Sequence, residues 1–164
     1  MKKGKTYTLV EYSLLAALIS ITGFIKIPIG LPGAEFQLSA PIAVAIAAVF
    51  GFKRYFIAGL ISSAILFAMG LHTVFNIEVA LVFRLVAGGL VALLRPSIPV
   101  LLVAGPIGTM AARLVLSLTL GVPYITLLIP TIPGMIFTAI TVIPLVKVLK
   151  RVQEMQGISY EKSI

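Results

Sequence analysis

The sequence contains no cysteine, no aspartate and no tryptophan, and it has a single histidine, His72. Charged residues make up 11% of it, against roughly 25% in an ordinary soluble domain. Each shortage excludes something. One histidine cannot build an HExxH zinc site, and without cysteine there is no thiolate-ligated metal and no disulfide. Without aspartate there is no aspartyl-phosphate and no Walker-B aspartate. No GxxxxGK[ST] loop occurs either, so the chain carries no P-loop ATPase of its own. What is abundant is apolar: 60% of the 164 residues are hydrophobic, and the mean hydropathy is +1.15. A soluble fold of this length cannot hide so much apolar surface, which predicts an integral membrane protein.

The few charges punctuate the chain. Lys5 to Lys26 brackets a stretch charged only at Glu11, and Glu35 to Lys53 brackets an uncharged one. Arg54 to Glu78 is again uncharged, with polarity gathered around His72 and Asn76. From Pro96 to Val146 the only charge is Arg113, and Gly121-Val122-Pro123 breaks that run in the middle. About 20 residues of helix cross a hydrocarbon core. The pattern predicts an all-α bundle of six transmembrane helices near 8–25, 38–52, 55–71, 74–94, 97–119 and 124–149. They form one domain over residues 1–152, followed by a short polar tail over 153–164. Strands do not suit these spans, which lack polar/apolar alternation. The apolar stretch after Met1–Thr8 exceeds a signal-peptide core and leads to no small-residue cleavage site, so an uncleaved first helix is expected.

The positive-inside rule orients the bundle. With the N-terminus in the cytoplasm, Lys2, Lys3, Lys5, Lys53, Arg54, Arg95, Lys147, Lys150, Arg151 and Lys162 all fall inside, and only Lys26 falls outside. Both termini are then cytoplasmic. The net charge of +8 is topogenic, and its scatter over four segments does not suit nucleic acid.

Three charges remain at membrane depth: Glu78, Arg84 and Arg113. Buried intramembrane charges cost about 2.5–3.5 kcal/mol each on insertion scales, so they face a partner or a wet cavity. A Glu78–Arg113 salt bridge is the structural reading. The functional reading is an outward-facing pocket in which Arg84 or Arg113 holds an anionic or carbonyl group, bordered by Asn76 and His72. Thr109 and Ser117 share the helix face of Arg113. In the first outer loop, Pro28 and Pro32-Gly33 force turns before Glu35 and Gln37. That loop reads either as a lid or as a plain connector. Phe36, Phe75, Phe83 and Tyr124 are aromatic candidates for stacking on a ring. In the first helix, Ser13, Ala16, Ala17 and Ser20 offer small side chains to another helix.

These segments resemble a known family. The run Ser13-Leu-Leu-Ala-Ala-Leu, then Ile-Lys-Ile-Pro, then Phe-Gln-Leu-Ser-Ala-Pro-Ile leading to Val-Phe-Gly-Phe-Lys-Arg and Ala-Gly-Leu-Ile-Ser-Ser, is similar to the substrate-binding S-components of energy-coupling factor (ECF) transporters. The resemblance implies a six-helix prokaryotic plasma-membrane protein that binds a vitamin or similar micronutrient near its outer face. It implies association with a transmembrane coupling protein and two cytosolic ATPases. Combined with the charges at membrane depth, it makes Arg84, Arg113, Glu78, Asn76 and Glu35, with Gln37 in the lid, the expected substrate contacts, and it implies that Ser13 and Ala17, with Ala16 and Ser20 beside them, meet the coupling protein. Ser13 stands where the family's small-residue motif has alanine. Phe36-Gln37-Leu38 resembles the biotin-binding members, but other stretches of that subgroup are missing, and biotin is not assigned. No catalysis, metal or cofactor is expected. The alternative is a scaffolding membrane protein without a pocket. An intramembrane Ser–His enzyme lacks a GxSxG elbow, and a secondary transporter lacks an inverted repeat. The absence of cysteine permits a direct check of orientation. Lys26→Cys is expected to react with an impermeant maleimide in intact cells, and Lys53→Cys only after lysis; the reverse pattern inverts the topology.

Overall fold

The computed structural model describes residues 5–24, 26–28, 35–37 and 39–155, and of the stretches 26–28 and 35–37 the backbone alone. Six helical rods make up nearly all of it. They are α1 (Lys5–Phe24), α2 (Ser39–Phe50), α3 (Phe52–Ala68), α4 (Val74–Leu94), α5 (Ile98–Leu120) and α6 (Tyr124–Met155). α1 and α2 are joined through a small hairpin of β1 (Lys26–Pro28) and β2 (Glu35–Gln37), paired antiparallel with Lys26 opposite Gln37. The backbone of β2 lies against α6. Residues 29–34, the turn of the expected lid, lie outside the described residues, as does the tail from 156.

The helix boundaries follow local chemistry. α5 stops at Gly121, whose φ of 67° is left-handed, a conformation that glycine adopts without a Cβ penalty. α2 and α3 are joined by Gly51 alone, at φ 86° and ψ 159°, a backbone region essentially reserved for glycine. α4 starts with a reciprocal cap in which Thr73 Oγ1 accepts from the Asn76 N–H and Asn76 Oδ1 accepts from the Thr73 N–H. Such a cap is worth about 1 kcal/mol.

Length separates the rods into two groups. The helices α1, α4, α5 and α6 are long and apolar enough to cross a membrane. α2 has 12 residues and α3 has 17. At about 1.5 Å per residue α2 covers roughly 18 Å, well short of a hydrocarbon core of about 30 Å. Six helices stand where six were expected, four of them long and apolar enough to cross a membrane and two shorter. The long helices turn apolar side chains outward. Leu93 is 84% exposed, Leu118 75% and Ile140 68%. Such a surface is a liability in water and the normal solvent-facing face of a membrane protein. The chain is a membrane protein of this kind.

α2 forms the core. Pro41 through Ala47 are all buried, and α2 touches each of the other five helices. None of those seven carries a side-chain polar group, so burial on every side leaves nothing unsatisfied. Around it the helices approach through small residues. A Cβ on Gly105 would lie 2.4 Å from Thr138 Cγ2 of α6, and one on Gly108 would lie 2.8 Å from the Ala87 Cβ of α4. α1 is held to α3 at two levels. The Ser20 and Ser62 hydroxyls share a 2.8 Å hydrogen bond, and Glu11 pairs with Arg54 Nε at 3.2 Å. Gly105→Ala is expected to destabilise by about 1–3 kcal/mol, as overpacking does, read as a lower thermal midpoint. Thr138→Ser removes the opposing methyl and keeps the hydroxyl, which donates to the Gly134 carbonyl. In the Gly105→Ala background it should restore most of that loss, giving a coupled double-mutant cycle.

Candidate functional site

α2 stops short of filling the bundle, and the space beyond its first turn is a cavity of about 380 Å³. Drug-sized ligand pockets run from about 300 to 1,000 Å³. Ser39, Ala40 and Ala43 of α2 form part of its wall, and the other five helices contribute most of the rest. The hairpin, the 69–73 turn and the 121–123 turn share this end of the bundle, because α1, α3 and α5 all lead to it.

Arg84 comes from the middle of α4, where five residues (Arg84–Gly88) adopt a π-helical turn. Single π turns inside α-helices recur at functional sites. The Arg84 side chain is only 6% exposed. It lies across Gly59 of α3, where a Cβ would sit 2.3 Å from Arg84 Nε. The buried Tyr55 lines the same cavity beside it. The NH1 of Arg84 has no hydrogen-bond partner among the described residues, nor does the buried Nε of Arg113. Both arginines line the cavity. An unsatisfied guanidinium nitrogen away from water is a costly arrangement, and a ligand acceptor would relieve it.

The other sequence candidates divide. Asn76 lines the cavity and spends its Oδ1 on the α4 cap. His72, Phe75, Phe83 and Thr109 also line it. Ser117, expected on the stripe with Arg113, is buried outside the wall, and Leu116 takes its place. Tyr124 lies off the wall and donates to the Met110 carbonyl at 3.4 Å. Glu78 is not in the wall. It accepts from the Thr119 hydroxyl, and no ion pair joins it to Arg113. The packing register explains this: Thr119 stands opposite Glu78, so Arg113 lies nearly two turns farther along α5. Glu35 and Gln37 are placed by backbone only, on β2.

In α1 the four small residues separate by face. Ser13 and Ala17 are exposed, whereas Ala16 is 2% exposed and Ser20 hydrogen-bonds Ser62 inside the bundle. Sequence reading missed Tyr55, Ser62, Gly59 and Thr138. The first three did carry a signal: with Leu66 they recur at helical spacing along one face of α3. Thr138 carried none.

The chain is 60% identical over 149 residues to Protein BioX of Lysinibacillus sphaericus, a match covering 91% of this chain and 90% of that one. No protein-family model matches the sequence, and no solved structure matches it.

Proposed function

The chain belongs to the family of Protein BioX, and from that premise we propose that it is the membrane-embedded substrate-binding subunit of an ECF-type importer. Its ligand is a vitamin or similar micronutrient, and separate ATPase subunits supply the energy. The observation that carries the reading is the cavity with two unpartnered guanidinium nitrogens in its wall. A scaffolding protein has no use for such an unstable void, and its two arginines would be paired. All six helices cross or enter the bilayer, with both termini cytoplasmic and the cavity end outward. Biotin, to which the Phe36-Gln37-Leu38 resemblance points, is the first ligand to test.

In this reading the protein binds and releases without chemistry. Arg84 and Arg113 hold the polar end of the ligand, and Phe75, Val79, Leu116 and Met135 offer apolar contact to its body. The coupling protein meets α1 on the exposed face that carries Ser13 and Ala17. Two small residues four apart let a second helix approach closely.

Native mass spectrometry of the protein purified from its own host tests both halves together. The expected spectrum shows a retained small molecule and assemblies containing a coupling protein and ATPases. An empty protein that binds nothing in a vitamin screen and never meets ATPases would sink the proposal. Gly59→Ala displaces Arg84 without removing its charge. It is expected to weaken ligand binding by about 10–100-fold, the worth of a charge-assisted hydrogen bond, measured by isothermal titration.

A further inference from the structure

The wall of the cavity contains two guanidinium groups and, among the described residues, no carboxylate. Glu11, at the far end of the bundle, is committed to Arg54, and Glu78 to Thr119. Arg84 and Arg113 also stand at one depth. α4 and α5 run antiparallel, with Glu78 opposite Thr119 and with Phe83 and Ala87 opposite Gly108. Between those two contacts the register brings Arg84 level with Arg113. Two permanently charged groups thus border one cavity at one level. The N-terminal end of α2, formed by Ser39 and Ala40, borders the same space, and its dipole adds positive potential there.

A ligand with one negative charge would leave one guanidinium uncompensated, in a place where an unpaired charge is strongly unfavourable. We propose that the cavity is built for a ligand that delivers two negative charges at this depth, as a phosphate monoester or as two carboxylates. The proposal rests on the substrate-binding reading and narrows its ligand class. It also assigns a double role to the arginines. They destabilise the empty protein and are neutralised by the loaded one, so binding and stability are linked through the same pair.

The test uses the full-length protein in lipid nanodiscs and isothermal titration. The probes are a series of straight-chain dicarboxylates against their monomethyl esters, phenyl phosphate against its methyl ester, and biotin. At least one dianion is expected to bind more than about tenfold tighter than its singly charged ester; which pair does so distinguishes carboxylates from phosphate. Arg84→Gln and Arg113→Gln should each shrink that gap to under about threefold while raising the thermal midpoint of the empty protein, because an unpaired buried charge is gone. A purely structural arginine would lower the midpoint instead, which overturns the proposal. It is also overturned if esters or biotin bind as tightly as the dianions, or if the gap survives both substitutions. Acquisition of the two-charge preference only on Glu35→Gln overturns it as well, since Glu35 would then be a counter-ion. Biotin binding alone sinks this inference and leaves the importer reading standing; no ligand and no ATPases sink both.

Discussion

The structure depends on a helix that is too short. α2 is buried on every side and holds the other five helices together, yet its 12 residues reach little more than half the depth of a bilayer core. A long central helix of the same composition would have produced a solid bundle. Because α2 reaches only to Ser39 at this end, the outer helices surround a space that none of the described backbone fills. The cavity is therefore a consequence of one helix's length and needs no separate device.

That space is lined unevenly. Toward α2 it meets small side chains, and toward α4 and α5 it meets the two arginines. The placement of Arg84 needs several concessions from its surroundings. α4 widens into a π turn, Gly59 gives up its side chain, and Tyr55 is buried beside the same cavity. Departures from regular structure gathered around one charged residue are a common mark of function, because packing alone would select against them. Fold and site share one logic: small residues allow close approach, and the room they leave goes to a long polar side chain.

The helices were legible in the sequence because charge and hydropathy alternate so sharply. The breaks near Gly51, Gly121 and the 69–73 turn fall where few residues other than glycine and polar turn formers can stand. Depth was less legible. Charges at Glu35 and Lys53 bracket α2, but composition cannot say that its surroundings are protein on all sides rather than lipid. Arg84 and Arg113 were visible because a charge inside an apolar span demands an explanation. Glu78 drew the same attention, but its partner proved to be Thr119, a choice made by the α4–α5 register. Tyr55 was hidden by its neighbours, since Lys53-Arg54-Tyr55 reads as an interfacial cluster. Thr138 was hidden because a threonine bonded to the carbonyl one turn earlier, here Gly134, looks like any other in an apolar helix.

The single-residue link at Gly51 has a mechanical side. It ties α2 to α3 with no slack, and Arg54, three residues on, grips Glu11 of α1 and the Phe50 carbonyl at the end of α2. Three helices are thereby clamped at the end of the molecule away from the cavity. The opposite end has longer connections and a hairpin. Like a tulip, the bundle is gathered at the stem, and its connections lengthen toward the rim.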